Sequence, residues 1–385
     1  MSAGIAGDMV KICYVANAKS VHAIRWAKYF GGHGYQVAII DESLPYQGAR
    51  PLDSAIANVS LYGANLGTQL RLPKLRGLAN WIGWPWAVRQ LTRAIGCDIL
   101  HALYVTHRGW AAVASGFHPV IVTAMGSDIN LAPRQSVIYR WLTQYVLRHC
   151  DLLTGDSLSL CQAMIDLGAD ENRPHLIQWG VDLDLFRPGL AAKPLRRQLK
   201  LKGGPVVFSP RACKPIYNID VLIRAIPTVL QKVPDTQFIL RDYNSDPQYL
   251  DELKRLIQEL GISAAAHFLG EIDYAEMPLY YNLADVCISI ASQDSNPVSV
   301  LEAMACGTPL VVSDETGTEW VTPGENGYAI SPDAPGELAG ALLELLQSSD
   351  QRDKFRRSGL ARVRHDGDEQ AWMDRLGKLY HGLLA

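Results

Sequence analysis

Short apolar runs alternate with longer amphipathic runs along this chain, and after residue 203 the alternation starts afresh. "MVKICYVA" (9–16) reads as a buried strand, "SVHAIRWAKYFGGHG" as a helix with a glycine-rich stop, and "YQVAIID" as a second strand. "DILHALYV" and "PVIVTAMGSD" read as further strands, with "RGWAAVASG" as the helix between them. In the second set, "PVVFSP", "TQFILRD", "AHFLG" and "DVCISI" are strands. "NIDVLIRAIPTVLQKVP", "DPQYLDELKRLIQELGI" and "EMPLYYNLA" are the helices between them. Strands that alternate with helices must lie parallel, because each crossover needs a helix, and such sheets are covered on both faces. The expected fold is therefore α/β, with two doubly wound domains in sequence.

The joint falls in "WGVDLDLFRPGLAAKPLRRQLKLKGG", where prolines, paired glycines and a dense basic run coincide. The expected boundaries are a first domain over 1–188, a linker over 189–203 and a second domain over 204–365. The closing segment 366–385 contains "DGDEQAWMDRLGKLYHGLL", which reads as a last helix. Doubly wound sheets hold ligands beyond the carboxyl ends of their strands, and two such domains facing a cleft suit a two-substrate reaction.

At 385 residues and 48% hydrophobic content there is apolar surface enough for more than one core. The net charge of −3 gives no general attraction to nucleic acid. It is unevenly spread: 16 Lys/Arg against 13 Asp/Glu up to residue 188, then 20 against 26. The seven cysteines form no Cys-x-x-Cys pair, which reads as reduced thiols in the cytoplasm. Met1–Asp8 lacks the basic start and apolar core of a signal peptide, and no run approaches 18 apolar residues.

A doubly wound fold raises the question of a dinucleotide, but that fingerprint needs glycines between the first strand and its helix. The two corresponding turns, "ANAKSV" and "SPRACKPIYN", have none. Asp41 ends the second strand as a ribose-binding acid would, yet solvated strand ends often carry acids.

The second half offers a different set. Arg211 and Lys214 stand just beyond its first strand. In "SQDSNPVSVLEAMACGTPLVV" (292–312), Pro297 suits the first turn of a helix, Gly307 and Pro309 stop it, and "PLVVS" reads as a buried strand. Asp294 then lies in the loop at the helix's amino end, and Glu302 about two turns inside, among apolar neighbours. Unpaired N–H groups and a partial positive charge at such an end suit phosphate. Arginine and lysine add charge-assisted bonds, and a carboxylate such as Glu302 can accept from two neighbouring ribose hydroxyls. Taken singly, Arg211 and Lys214 also fit an ordinary solvated pair, and Glu302 an ordinary helix carboxylate. Together they describe a site for a nucleoside-diphosphate sugar.

These residues carry a resemblance. "DSNPVSVLEAMACGTPLVVSD" is similar to the E-x7-E signature of GT-B glycosyltransferases of family 4, with Asp294 in place of the first Glu. "GVDLDLFRP" (180–188) resembles that family's segment before the second domain, "SVHAIRWAKYFGGHGYQVAII" its opening β-α-β unit, and "MGSDI" a polar turn late in the first domain. The resemblance implies two Rossmann-like domains facing a cleft, a nucleotide sugar (UDP- or GDP-linked) on the second and an acceptor on the first. It implies transfer to a hydroxyl with retention of anomeric configuration, as in envelope polysaccharide or glycolipid assembly. By the same analogy Glu302 holds the ribose, Asp294 the donor sugar, and backbone N–H groups around Val298 and Ser299, at the helix start that Pro297 marks, the diphosphate. Arg211 and Lys214 would neutralise the leaving group. Tyr217 before Asn218 occupies the place where many relatives carry a lysine before a glycine, and the resemblance leaves open whether Lys214 substitutes for it. The base would lie near Gly270, Glu271 and Ile272. On the acceptor side, His101 and Asp128 of "MGSDI" are the candidates, although a lone histidine is more often structural.

Glycosyl transfer passes through an oxocarbenium-like sugar while the departing diphosphate gains charge. The implied chemistry is front-face displacement, in which the protein positions and neutralises. "DLD" (182–184) and "DGD" (366–368) mimic a metal-binding D-x-D, but neither falls in the phosphate loop, so neither a metal nor a cofactor is expected. Between Ser54 and Cys97 there is no acidic residue, while Arg71, Lys74, Arg76, Arg89 and Arg93 accompany Trp81, Trp84 and Trp86. Cations interleaved with tryptophan suit an anionic membrane surface; equally, the rings pack in a core and the cations face water. The expected partners are a nucleotide-sugar donor, a sugar, lipid-linked or small hydroxyl acceptor, and such a membrane through 71–93, with the protein cytoplasmic or peripheral at the inner face of the plasma membrane. The competing readings are a nucleotide-sugar epimerase of the same architecture and a non-catalytic subunit that keeps the fold.

Overall fold

The structure is a computed structural model that describes residues 9–51, 58–66, 76–294, 296–316 and 318–385; for 50, 51 and 76–80 it describes the backbone alone. Its contacts divide the chain into two units. One comprises residues up to Gln178 together with Trp372–Ala385, and the other Trp179–Ala371.

The first unit is an eight-stranded sheet. In chain order its strands are β1 (Lys11–Val15), β2 (Gln36–Pro45), β3 (Gln47–Pro51), β4 (Val59–Asn65), β5 (Ile99–Leu103), β6 (Val120–Thr123), β7 (Leu152–Gly155) and β8 (Pro174–Leu176). They lie in the order β3-β4-β2-β1-β5-β6-β7-β8, and only the β3–β4 pair is antiparallel. The register sets Ile12 of β1 beside both Val37 of β2 and Ile99 of β5. The chain leaves β1 toward one side and later returns on the other, so a topological switch lies beside β1. Central strands such as "ILHAL" are buried throughout, as a sheet covered on both faces requires.

The second unit has six parallel strands. They are β9 (Val206–Ser209), β10 (Gln237–Arg241), β11 (Ala266–Leu269), β12 (Val286–Ser289), β13 (Leu310–Ser313) and β14 (Tyr328–Ile330), in the order β11-β10-β9-β12-β13-β14. Here the switch lies between β9 and β12. Helices Ile219–Lys232 and Pro335–Gln347 cover one face, their leucine, isoleucine and valine side chains joining Phe238, Leu240 and Ile288 in one core. Val300, Leu301 and Met304 of helix Val298–Ala305 fill a second core with Phe208 and Tyr281.

The boundaries differ from those expected. Residues 179–188, assigned from sequence to the first domain, belong to the second unit. Val181 and Phe186 are fully buried in its core, and burying one such side chain contributes about 1.5–3 kcal/mol. Gly180 has φ +62°, and a Cβ there would stand 2.5 Å from the Glu369 Cα, so only glycine lets Val181 donate to the Gly367 carbonyl. Residues 189–203 are not a free linker either. Helix Lys193–Gln198 buries Leu195, and the Leu190 N–H donates to Asn282 Oδ1. The last helix, Glu369–Leu384, packs with the first unit from Trp372 onward. There the Tyr380 ring lies 5.0 Å from Phe30, and Tyr29 donates to Asp374 at 2.6 Å.

Both D-x-D sequences serve local turns. Asp182 Oδ1 accepts from the N–H groups of Asp184 and Leu185, and Asp368 Oδ1 from that of Gln370. Among the described residues all seven cysteines are free thiols, and no helix is long and apolar enough to cross a membrane.

Candidate active site

The carboxyl ends of β9, β10 and β12 bring the charged residues of the second unit together. Immediately after β9 the chain runs through Arg211 to Lys214, makes a short turn over Pro215–Tyr217, and enters its helix at Asn218 in a left-handed conformation (φ +51°). Asparagine tolerates that conformation better than most side chains. Its Nδ2 also donates to the Ile290 carbonyl at 2.9 Å and to Ser292 Oγ at 2.8 Å, which ties the loop after β12 to the loop after β9. Further along, Trp320 Nε1 donates to Asn296 Oδ1 at 2.7 Å, and Thr316 Oγ1 to the Ala291 carbonyl. The loop before helix Val298–Ala305 is thereby fastened from two directions.

Helix Val298–Ala305 begins at Pro297 with no side chain capping its first N–H groups. Those groups keep hydrogen-bonding capacity and a positive end of the helix dipole for an anion. Beside them Arg211 donates to Asp294 Oδ2 at 2.5 Å and to Ser299 Oγ at 3.3 Å, and its guanidinium stacks 4.1 Å from the Tyr217 ring centre. Burial pulls the Arg211 pKa down, but the Asp294 carboxylate and Tyr217 outweigh it, and the guanidinium is held above its ordinary value. Glu302 is buried one and a half turns along the helix, where its Oε2 accepts from the Tyr281 hydroxyl at 2.6 Å. Burial first, and then Glu302, push the Tyr281 phenol well above its usual range, so Tyr281 stays a donor and holds the carboxylate in place.

A cavity of about 250 Å³ opens between these groups, lined among others by Arg211, Lys214, Arg241, Tyr281, Ser299 and Glu302. Four of these six were singled out from sequence. Asp294 joins them through Arg211. Pro297 and Val298 form the helix start. Gly270 and Glu271 are exposed beyond β11 and do not line the cavity, and Ile272 is buried in the core with Met277 and Tyr280. Arg241 and Tyr281 were missed. Arg241 ends β10 and lies over Tyr243 at 5.5 Å, with its Nε buried and unpartnered. Its signal was present in "TQFILRD", a cation at the carboxyl end of a strand. Tyr281 gave no such signal, since a tyrosine in an apolar helix reads as core. Among the described residues neither Lys214 nor Arg241 forms an ion pair.

The first unit corrects two expectations. His101, in the middle of β5, is fully buried, with Nδ1 2.7 Å from the Tyr380 hydroxyl and Nε2 2.6 Å from Thr123 Oγ1. Tyr380 reaches Tyr14 at 3.0 Å, and Thr123 reaches Thr154 at 2.5 Å. Both ring nitrogens are used, and burial lowers the pKa to about 3, so a neutral His101 fastens the last helix to the sheet. Asp128 is equally buried: its oxygens accept from the N–H groups of Val105 at 2.6 Å and Met125 at 2.9 Å. Burial raises its pKa to about 6 against the lowering effect of those bonds. It shapes the "MGSDI" turn rather than facing a substrate. Asp41 likewise holds the turn after β1, accepting from the Ala18 N–H at 2.7 Å and from Ser43.

In the basic run 71–93, Arg71 and Lys74 lie outside the described residues, as does the side chain of Arg76. Trp84 packs against the core and Trp81 meets His107 edge-on at 5.3 Å, while Trp86 is exposed beside Tyr46.

Two parallel α/β sheets of this topology define a GT-B fold, and comparison with known proteins gives the family. The model of the group 1 glycosyl transferases matches residues 192–362, and that of the glycosyl transferase 4-like family matches residues 11–157. The chain belongs to the group 1 glycosyltransferases of family 4. It is 29% identical over 213 residues to a D-inositol 3-phosphate glycosyltransferase of Acidothermus cellulolyticus, covering 52% of this chain and 47% of that one. It is 30% identical over 191 residues to a phosphatidyl-myo-inositol mannosyltransferase of Mycobacterium tuberculosis, covering 48% of each. The chain thus spans about half the length of these curated relatives. Among solved structures, sucrose-phosphate synthase from Thermosynechococcus elongatus superposes over 97% of this chain and 99% of its own, with a TM-score of 0.81 at 21% identity.

Proposed function

We propose that this protein is a retaining glycosyltransferase that moves a hexosyl group from a nucleoside-diphosphate sugar to a hydroxyl acceptor. The observation that carries the reading is the cavity at the end of helix Val298–Ala305, where three cations and uncapped N–H groups surround a buried carboxylate. The helix end and Ser299 receive the diphosphate. Glu302, oriented by Tyr281, clasps the ribose hydroxyls. Arg211 and Lys214 meet the charge that develops on the leaving diphosphate, with Arg241 as a further cation at the same cavity. Fixed cations aimed at developing charge lower a barrier without reorganisation, and one such donor is worth about 2.7–4 kcal/mol.

Asp294 has two duties in this scheme. Before the donor arrives it neutralises Arg211. Once the diphosphate takes the guanidinium, the carboxylate is released toward the hydroxyls of the donor sugar. The leaving phosphate then takes the acceptor proton on the same face, so no second carboxylate is required, and retention follows.

Two relatives are named for the groups they glycosylate, inositol 3-phosphate and phosphatidyl-myo-inositol. They support a phosphorylated or lipid-linked polyol as the acceptor here, and a place in envelope glycan or glycolipid assembly. Incubation with a panel of radiolabelled nucleotide sugars and such acceptors tests the reading. Transfer, or donor hydrolysis without acceptor, is the expected result; epimerisation of the sugar, or no binding of any nucleotide, would overturn it.

A further inference from the structure

We infer that Arg241 is the cation that makes this site select a nucleoside diphosphate over the corresponding monophosphate. The inference deepens the donor site proposed above and rests on it. Arg241 is the last residue of β10, where the register places it beside Leu269 of β11. The loop that follows is short and tied down. The Asp242 N–H donates to the Leu269 carbonyl at 2.9 Å, the Cys213 N–H to Ser245 Oγ at 2.8 Å, and the Asp246 N–H to the Cys213 carbonyl at 2.9 Å. Asp246 Oδ1 then accepts from the Tyr249 N–H at 2.9 Å and caps helix Pro247–Glu259. The strand before Arg241 and the fastened loop after it fix the backbone from which its side chain reaches the cavity shared with Lys214, Ser299 and Glu302.

The hydrogen bonds of the three cations set Arg241 apart. Arg211 already donates to Asp294 and Ser299 and stacks on Tyr217, so much of its capacity is taken before a ligand arrives. The Arg241 guanidinium lies over the Tyr243 ring at 5.5 Å, and its Nε is buried with no hydrogen-bond partner. A solvated strand-end cation would keep that N–H in water. A buried donor without an acceptor costs free energy, which an anion in the cavity would recover. Charge gives the same assignment. Asp294 offsets Arg211, and Glu302 offsets one more cation, so Arg211, Lys214 and Arg241 together leave one positive charge in surplus. Deleting Arg241 makes the set neutral. A neutral set still offers the uncapped helix end to one phosphate, but no net charge with which to attract the further negative charge of a second. Lys214 carries the same charge as Arg241. A guanidinium, however, forks across two phosphate oxygens, where an ammonium on a flexible stem acts as a point charge. Of the two cations outside the Asp294 pair, Arg241 is therefore the one with the shape and the fixed backbone to grip a phosphate chain.

Calorimetric titration of the full chain with UDP and UMP, and with GDP and GMP, tests the assignment. The wild type should bind one of the two diphosphates more tightly than its monophosphate. Arg241→Ala should lower that diphosphate affinity about ten- to a hundredfold and the monophosphate affinity less than about threefold, so that the selectivity collapses. Arg241→Gln, which keeps the stem and loses the charge, should behave alike and carries the test if thermal unfolding shows that Arg241→Ala has lost its fold. Arg241→Lys keeps the charge without the fork and should recover only part of the ratio. The ratio is the informative quantity, because a residue that merely supports the loop would weaken both ligands equally. Equal losses for the two ligands, or a ratio unchanged in a folded variant, would overturn the inference. If the wild type binds neither UDP nor GDP, the donor reading and this inference fall together. If it binds one of them and the ratio survives in the variants, this inference falls alone and the donor reading stands.

Discussion

Buried polar side chains gather on and around the central strands in both units, but the two sets are arranged differently. In the first unit Tyr14, Tyr380, His101, Thr123 and Thr154 spend their polar atoms on one another. That network has no cation and no ionised group, and burial holds its histidine neutral. In the second unit Arg211, Lys214 and Arg241 surround a cavity, with Asp294 bound to one of them and Glu302 bound to a neutral phenol. A buried polar group costs free energy unless it is partnered, so a satisfied network reads as scaffold and an unsatisfied cluster around open space as a site for an absent partner. Polarity at a strand end does not separate the two; an excess of one charge around a cavity does.

The largest expected effect breaks the comparison where the charge excess is greatest. Arg211→Ala removes a cation from the leaving diphosphate, and kcat for sugar transfer should fall about a hundred- to a thousandfold. A steady-state assay checks this; a loss below tenfold would mean that Arg211 is scaffold like the first unit's network. Glu302→Ala comes next. It deletes a charged acceptor for the ribose, worth about 1.5–3 kcal/mol, so affinity for UDP or GDP by calorimetry should fall roughly ten- to a hundredfold. Tyr281→Phe keeps the carboxylate but frees its position, and its loss of nucleotide affinity should be smaller. Unchanged affinity in Glu302→Ala would reject the ribose role.

Most of the fold was legible because its signal is local. A buried parallel strand such as "DVCISI" and an amphipathic helix such as "NIDVLIRAIPTVLQKVP" advertise themselves in a few residues, and the structure places them at Val286–Ser289 and Ile219–Lys232. Much of the site was legible for the same reason: Arg211, Lys214 and Ser299 lie at element ends that turn residues mark, and Glu302 is a lone carboxylate in an apolar helix. What failed depended on tertiary partners. Phe186 looked like the end of one domain because prolines and glycines follow it, but the core that receives it is built from Tyr274 and Tyr281, far along the chain. His101 looked available because nothing near it in sequence reveals that Tyr380 and Thr123 take both nitrogens. Tyr281 looked like core, and it is core, with one hydroxyl turned to Glu302.

Asp294→Ala sharpens the comparison by removing a partner instead of a cation. The ion pair with Arg211 is mostly buried, its side chains 13% and 20% exposed, so the desolvation of both charges offsets most of their attraction. If the donor diphosphate must displace Asp294, deleting it should raise UDP or GDP affinity about two- to fivefold while sugar transfer falls. The opposite signs are the informative outcome. Lower affinity would show that Asp294 positions Arg211 for phosphate rather than competing with it.

The smallest effect tests the scaffold itself, through pH. His101 titrates near 3 when folded against 6.5 ordinarily, so between those values the unfolded chain binds more protons and stability falls as pH drops. His22, lowered to about 4 by burial and then by Arg25, acts in the same direction. Asp128 opposes them. It titrates near 6 when folded against 3.8 ordinarily, so the folded state keeps a proton the unfolded chain has lost, and stability falls as pH rises through that window. Thermal midpoints compared between about pH 7 and about pH 5 should therefore drop less in His101→Gln than in the wild type, and more in Asp128→Asn. At neutral pH His101→Gln should keep sugar transfer within about twofold, because the histidine it replaces is neutral there and meets only protein. A folded His101→Gln protein with transfer abolished would move His101 from the scaffold to the acceptor and erase the distinction between the two sets of polar residues.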